Sequence, residues 1–252
     1  MLFRSKAVRR AAKNNKSQGA VARAVLEDLA AASRILVDQG VFDAAGHVSM
    51  RHPGNPKHFL MSRSLAPQLV TANDIMEFDL ESVAIDPKGR NGFIERFLHG
   101  EIYKKRPDVM AIAHSHSASV IPFGLTNTPL RAMYHNAAFL AAGVPVFDIR
   151  EKFGASDIVI STQTKGAALA AVLADKSVAL LRAHGMVAVA GSLPVAVFRA
   201  IFTEVSARIQ HQAAALGGPI AALDVEEGRL ADIVNVATVG RSWDLWKRRV
   251  MK

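Results

Sequence analysis

The sequence predicts a single α/β domain in which a largely antiparallel sheet is flanked by helices. The chain has 252 residues and is 50% hydrophobic, which is enough to bury one large core. Short strand-like segments occur in pairs, and helical segments interrupt them without the strict strand–helix alternation of a parallel sheet. Internal repeats and low-complexity tracts are absent from the sequence, so a repeat architecture is not expected.

The first half of the chain predicts one long helix, two strand pairs and a second helix. Apolar residues recur at helical spacing over 18–40, and Gly40 suits the end of that helix. The second helix covers 95–106 and stops at Pro107. Turn-rich linkers separate four strand-like segments at 46–51, 58–62, 75–80 and 82–86.

The second half alternates further strands with helices of small and apolar residues. Strands are expected at 109–118 (where the strand runs into a loop), 144–149, 177–185 and 186–191. Helices are expected at 117–123, 131–142, 166–175 and 194–216.

Positive charge is concentrated at the two ends of the chain. The net charge is +9, and residues 1–23 carry seven basic residues and no acid. We therefore expect a basic, flexible arm at 1–17, a domain at 18–240 and a basic tail at 241–252 that could cover the active site. Basic and aromatic residues do not interleave, so nucleic acid is not an expected partner. The acid-free start also resembles a mitochondrial presequence, and that alternative stays open.

Composition and missing motifs exclude several classes of protein. The chain has no cysteine, which rules out disulfides, thiolate metal ligands and a cysteine nucleophile. A cytoplasmic location is the default expectation for a chain without cysteine. No run of 18 apolar residues occurs, so a membrane span is not expected. The hydrolase pattern G-x-S-x-G, the dinucleotide pattern G-x-G-x-x-G and the P-loop are all missing.

Two histidines follow an apolar strand in the segment "AIAHSHSASV" at 111–120. Residues at positions i and i+2 of a strand face the same side, so His114 and His116 point together and can bind one metal ion. Solvated histidines at a strand end are the common alternative. His184 is the best third ligand, because it also ends an apolar strand and Gly185 after it permits a sharp turn. His99 and His211 occupy helical positions and are expected at the surface or an interface.

A longer pattern resembles the class II aldolase and adducin family. The segments "FIERFLHGEIYKKRPDVMAIAHSHS" and "LLRAHG" carry the resemblance, which extends from about residue 20 to 215. It implies a three-layer α/β/α fold with a mostly antiparallel central sheet, usually assembled as a homotetramer with active sites between subunits. It also implies that His114, His116 and His184 hold one divalent metal ion, Zn²⁺ or Mn²⁺. Glu95, 19 residues before His114, falls where these enzymes have an acid/base carboxylate.

The substrate-binding positions differ from those of the sugar-phosphate aldolases in this family. Those enzymes have a Ser-Ser pair before the catalytic glutamate, whereas this chain has Phe93 and Ile94, which cannot donate hydrogen bonds to a phosphate. His47, Arg63 and Ser64 occupy the other positions of the phosphate site. Arg63 could bind a planar carboxylate with two hydrogen bonds, with a solvated loop cation as the alternative. Phe93 suits a flat ring.

This set resembles the branch that decarboxylates hydroxylated aromatic or heteroaromatic dicarboxylates, such as dihydroxyphthalate or a hydroxypyridine dicarboxylate. An aldolase of a non-phosphorylated hydroxy-ketone or keto acid is the second reading, and a non-catalytic adducin-like head is disfavoured because the histidines and Glu95 are present. The metal acts as a Lewis acid on the developing enolate-like charge. Glu95 or a water on the metal is expected to handle the proton. Tyr134 and His135 are alternative donors from a neighbouring subunit, or residues of a subunit contact.

Overall fold

The computed structural model describes residues 21–251, so the predicted basic arm at 1–17 lies outside the described residues. The helices are α1 (Arg23–Asp38), α2 (Arg96–Lys105), α3 (Arg150–Phe153), α4 (Gln163–Leu173), α5 (Leu193–Leu216) and α6 (Val225–Val250). The strands are β1 (His47–Arg51), β2 (His58–Ser62), β3 (Ile75–Asp79), β4 (Ala111–Ser115), β5 (Val146–Phe147), β6 (Val178–Leu181) and β7 (Gly185–Ala190). Short 3-10 helices occupy Pro67–Leu69, Ala72–Asp74, Ile121–Gly124 and His135–Ala142.

The seven strands form one sheet in the order β3-β2-β1-β4-β7-β6-β5. Every neighbouring pair is antiparallel except β5 with β6. The central strand β4 places His114 opposite His47 of β1 on one side and opposite Val187 of β7 on the other. This register sets two of the predicted site histidines side by side.

Helices cover both faces of the sheet, which confirms the predicted three-layer α/β/α fold. Alternation along β4 shows the principle: Ala111 and Ala113 pack in the core with α1 and α5, and Ile112 packs on the opposite face with α2 and α4. His114 has the parity of Ile112 and therefore faces the α2 side. Glu95 immediately precedes α2, so this face of the sheet brings the two residues together.

Two predicted elements are wrong, one in each half of the chain. Residues 82–86 are not a strand, because Ser82 has a φ of 64° and the segment keeps only an isolated bridge between Phe78 and Ala84. The predicted helix at 131–142 is a 3-10 segment that begins at His135. The residues before it are extended, because their backbone N–H groups donate hydrogen bonds to side chains of α5. Arg131 N donates to Gln210 Oε1, and Met133 N donates to Ser206 Oγ.

The last helix, α6, was not predicted, and the boundary expected at residue 241 lies inside it. Asp224 and Glu227 form a capping box at its start. Trp243 and Trp246 are buried in the core cluster shared with α1 and α5, so both tryptophans serve packing within the chain. Coverage of an active site by this segment in an assembly stays a prediction. In the part of the chain that the structure describes, no helix is long and apolar enough to span a membrane.

Candidate metal centre and active site

Four predicted side chains converge on one point between strand ends and a helix start. The ligand atoms of Glu95, His114, His116 and His184 all lie within 4.8 Å of one another. His114 belongs to β4, His116 follows it by two residues, and His184 lies in the turn between β6 and β7. The antiparallel pairing of β4 with β7 brings this turn to the end of β4.

Gly185 permits this close approach of two backbones. A methyl group at this position would overlap the carbonyl oxygen of Ser115 and come within 3.0 Å of the Cα atom of His116. Neither contact can be relieved by rotating a side chain, since both neighbours are backbone atoms. The glycine after His184 is therefore required for the packing of two ligand-bearing segments.

Replacing Gly185 by alanine is expected to lower the free energy of unfolding by about 1–3 kcal/mol or more, because the overlap must push β7 away from the end of β4. Urea unfolding of the variant measures the loss. Gly191 is the matched control at the other end of β7, where an added methyl group would lie 3.8 Å from Asp108 O in ordinary contact. Equal stability of the two variants would contradict the packing role of Gly185.

Each of the three histidines is oriented by a hydrogen bond from its Nδ1 atom. His114 Nδ1 donates to Met186 O at 3.0 Å, and His184 Nδ1 donates to Ile158 O at 2.9 Å. His116 Nδ1 is paired with Asp43 Oδ2 at 3.3 Å. Carbonyl and carboxylate oxygens can only accept, so the proton of each neutral ring is on Nδ1 and the lone pair is on Nε2.

The three Nε2 atoms therefore present lone pairs to one another. His116 Nε2 and His184 Nε2 are 3.1 Å apart, and two lone pairs at that distance repel. His114 Nε2 is buried and has no hydrogen-bond partner among residues 21–251. A divalent cation is the group that satisfies three convergent imidazole lone pairs, and the acceptors on the Nδ1 side are those commonly found behind metal-bound histidines. The residues present fit the expected ion.

Glu95 completes the cluster from the start of α2. Its Oε1 accepts a hydrogen bond from Ile160 N at 2.9 Å. Its Oε2 lies 3.3 Å from His114 Nε2 and 3.5 Å from His184 Nε2. Burial acts to raise the pKa of Glu95, but positive charge on the neighbouring His114 and His184 rings outweighs it and holds the pKa well below its ordinary value. A cation held by the neutral rings would supply the same positive charge beside Glu95. The carboxylate is ionised in this arrangement.

A cavity of about 420 Å³ opens beside the cluster. Glu95 and His116 form its metal-facing side, and Phe93 and Val159 belong to its apolar walls. Its volume is sufficient for one small ring with polar substituents. The cavity thus joins a metal-binding cluster, an ionised carboxylate and an apolar surface.

The model of the class II aldolase and adducin N-terminal domain matches residues 27–211. The chain belongs to the class II aldolase and adducin family. This membership confirms the family resemblance and accounts for the segments that carry Glu95 and the three histidines.

Several relatives of this chain are named as decarboxylases. Decarboxylase tropJ of Talaromyces stipitatus is 38% identical over 86% of this chain and 90% of its own. A 3,4-dihydroxyphthalate decarboxylase of Arthrobacter keyseri is 27% identical over 90% of this chain and 92% of its own. Among solved structures, an aldolase II superfamily protein from Pseudomonas syringae has a TM-score of 0.75 at 25% identity, covering 90% of this chain and 92% of that one. These matches confirm the prediction of an enzyme that resembles the decarboxylase branch.

Three of the four predicted substrate-binding residues line the cavity of this family member. His47, Ser64 and Phe93 are among its walls, with Ile94 beside them. Arg63 is not among the lining residues, and its Nε donates to Asp74 Oδ1 at 2.7 Å. A role for Arg63 in binding a substrate carboxylate stays a prediction.

Tyr134 and His135 lie away from the cavity within a single chain. Tyr134 packs against Phe202 of α5, with 6.2 Å between ring centroids, and the carbonyl of His135 accepts a hydrogen bond from Asn235 of α6. Neither residue lines the cavity. Their predicted role as donors from a neighbouring subunit of this family stays a prediction.

The sequence did not predict that His99 would be buried and bonded to a residue of the cavity wall. His99 was expected at the surface or an interface, but it is completely buried within the chain and bonded through Nε2 to His47 Nδ1 at 2.8 Å. The expectation failed because helical spacing alone did not identify the inward face of α2. A signal was present: His99 and Tyr103 are four residues apart on one helix face, and His47 and Ser49 are two apart on one strand face.

Proposed function

We propose that this class II aldolase-family enzyme is a divalent-metal-dependent decarboxylase of hydroxylated aromatic or heteroaromatic carboxylates. The observation that carries the proposal is the convergence of three histidine Nε2 atoms and Glu95 beside the cavity. The identity of 38% with decarboxylase tropJ supports the decarboxylase branch. Dihydroxyphthalates and hydroxypyridine dicarboxylates are the substrate class that we favour, since other relatives are named 3,4-dihydroxyphthalate decarboxylases.

The walls of the cavity support a flat, apolar ring in preference to a sugar phosphate. Phe93 and Ile94 both line it, and neither side chain can donate a hydrogen bond to a phosphate oxygen. Polar groups line the cavity as well, and among them His47 and Ser64 can contact hydroxyl or carboxylate substituents. An aromatic acid matches this combination of apolar and polar lining groups.

His114, His116 and His184 would hold the ion, either Zn²⁺ or Mn²⁺, and Glu95 would remain free to act on the substrate. When bound, the ion supplies a Lewis acid that stabilises negative charge on the hydroxyl oxygen and ring as the carbon–carbon bond breaks. In that step CO₂ leaves without the bonding electron pair. The ring carbon keeps the pair and takes up one proton, and the net reaction consumes one proton from water.

Glu95 is positioned to move that proton. Ile160 N fixes its Oε1, so Oε2 is the atom available to the substrate. Because the carboxylate is ionised, it first accepts the proton of the substrate hydroxyl and then delivers it to the ring carbon.

A homotetramer with active sites between subunits is part of the proposal, as is a cytoplasmic location. Large apolar side chains stay exposed along α6, among them Leu230, Ile233 and Val234. Such residues are typical of a surface that is covered in an assembly. In that assembly Tyr134 or His135 of a neighbour would approach the cavity.

We expect the purified, metal-loaded protein to release one CO₂ from 3,4-dihydroxyphthalate or from a 3-hydroxypyridine dicarboxylate. Phthalate, which has the carboxylates but no hydroxyl, should release none, because it has no hydroxyl oxygen onto which the developing negative charge can spread. A chelator should stop release, and added Zn²⁺ or Mn²⁺ should restore it. Cleavage of a hydroxy-ketone or keto acid to an aldehyde, without CO₂ from any aromatic acid, would instead favour the aldolase reading.

A further inference from the structure

The loop at 157–161 contacts two members of the metal cluster through its backbone. Ile158 O accepts a hydrogen bond from His184 Nδ1 at 2.9 Å, and Ile160 N donates one to Glu95 Oε1 at 2.9 Å. The loop lies between α3 and α4 and has no regular secondary structure, so neither a helix nor a strand fixes its peptide groups. Burial of the Ile160 side chain anchors one end of the loop, but it does not set the direction in which the peptide groups point.

The peptide group between Val159 and Ile160 is bonded at both of its ends. Its carbonyl oxygen accepts a hydrogen bond from Lys165 Nζ at 2.9 Å, and its N–H is the group that donates to Glu95 Oε1. A trans peptide is planar, so its C=O and N–H point in opposite directions and turn together. Ser161 N also donates to Val159 O, at 3.0 Å, but it belongs to the same loop and does not tie the loop to another element. The lysine on one side therefore fixes the N–H that holds the carboxylate on the other.

The preceding peptide group, between Ile158 and Val159, is held in the same way through one further residue. Its carbonyl oxygen accepts from His184 Nδ1, and its N–H donates to Asp157 Oδ1 at 3.2 Å. Lys165 Nζ lies 2.9 Å from the same Asp157 Oδ1. Ile158 has a φ of 54°, which is rare for a β-branched residue and persists only where the surroundings hold it. Lys165 is thus a common anchor of both peptide groups.

Lys165 occupies a position that the helix alone does not explain. Its side chain is 15% exposed, and a third hydrogen bond to Ser161 Oγ at 3.4 Å gives each of the three ammonium N–H groups an acceptor. It lies in the first turn of α4, where the helix dipole disfavours a positive charge. The bonds to the loop, and not the stability of α4, account for a lysine at this position.

We propose that Lys165 is a positioning residue of the active site, whose ammonium group orients Glu95 and the His184 ring through the two peptide groups that flank Val159. Lys165 is not among the residues that line the cavity, so it acts through the loop. Without the ammonium group these peptide groups can rotate, and rotation turns their hydrogen-bonding groups away from Glu95 and His184. The effect on metal binding rests on the three-histidine site, and the effect on turnover rests on the proposed function.

The absence of cysteine from the chain allows the ammonium group to be removed and restored chemically. Lys165→Cys introduces a single thiol, which is alkylated in urea before refolding. 2-Bromoethylamine gives a thioether with the length and charge of lysine, and 1-bromopropane gives one of the same length that ends in a methyl group. The wild-type chain goes through the same steps as a treatment control. Lys165→Met, expressed directly, removes the ammonium group without refolding.

We expect the propyl form and Lys165→Met to bind Zn²⁺ about 10–100-fold more weakly than the wild type and to lose a similar factor in kcat, and the aminoethyl form to recover both to within about threefold. Chelator competition measures the affinity for Zn²⁺. Rates of CO₂ release at saturating Zn²⁺ report the orientation of Glu95 separately from metal occupancy. Lys104→Met is the matched control, because it removes an ammonium group that pairs with Glu81 and Glu101 of another region, and it should change neither quantity.

Equal Zn²⁺ affinity and equal kcat in the propyl and aminoethyl forms would overturn the inference. A difference between these forms that is confined to the midpoint of urea unfolding would overturn it as well, because Lys165 would then only stabilise the fold. If the wild type releases no CO₂ from any aromatic acid while the aminoethyl group still restores Zn²⁺ affinity, the proposed function fails and the positioning role of Lys165 stands.

Discussion

Replacing His184 by alanine is expected to remove the bound metal and to reduce turnover to the background rate. His184 supplies one of three convergent Nε2 lone pairs, and its Nδ1 bond to Ile158 O fixes the ring in the ligating orientation. Two histidines alone leave the ion with too few protein ligands for a stable site. Metal analysis of the purified variant should show a fall from about one ion per chain towards zero.

His211 provides the control for this variant. It lies on α5, is exposed, and stacks against Phe123 with 4.9 Å between ring centroids, away from the cluster. His211→Ala should therefore keep both the metal and the activity. A His184→Ala protein that retains a full complement of metal would show that His184 is not a ligand.

The central sheet and the helices that cover it were the predictable part of the fold. Their buried faces leave a pattern in the sequence, which is seen in the strands β1, β2 and β4 and in the helical spacing of α1 and α5. Helix α6 escaped prediction because large apolar residues lie on its exposed side as well as on its buried side, which obscures the helical spacing, and because glycines interrupt it. One of them, Gly228, lies so close to Ala141 that a methyl group would overlap it, so a residue that weakens a helix in isolation is required by packing.

Residues of the site also divide into those with a signal in the sequence and those without one. His114 and His116 could be paired from their spacing along one strand, and Gly185 pointed to a tight turn beside His184. Asp43, Met186 and Ile158, which orient the three rings, gave no signal because two of them act through backbone carbonyls. Any residue can supply a carbonyl, so sequence alone does not identify such partners. The ion pair of Arg63 gave no signal for a related reason, since its partner Asp74 is 11 residues away in a separate turn.

Replacing Glu95 by glutamine is expected to lower turnover by about 10²–10⁴-fold while the metal content stays unchanged. Glutamine has the size of glutamate, and its amide oxygen can still accept the hydrogen bond from Ile160 N. It cannot carry a proton between the substrate hydroxyl and the ring carbon, so the chemical step alone should suffer. Initial rates of CO₂ release, measured alongside metal analysis, separate the two effects.

A control variant and the possible outcomes of Glu95→Gln test the role of Glu95. Glu101→Gln makes the same change about 1.7 turns further along the chain, in α2, where the carboxylate pairs with Lys104 at 2.7 Å, and it should leave turnover near the wild-type rate. A Glu95→Gln protein with full activity would remove Glu95 from the mechanism. A Glu95→Gln protein that loses its metal would instead make Glu95 a fourth ligand, as its Oε2 at 3.3 Å from His114 Nε2 would then imply. Retained metal with lost turnover is the one combination that fits a proton carrier standing beside a three-histidine site.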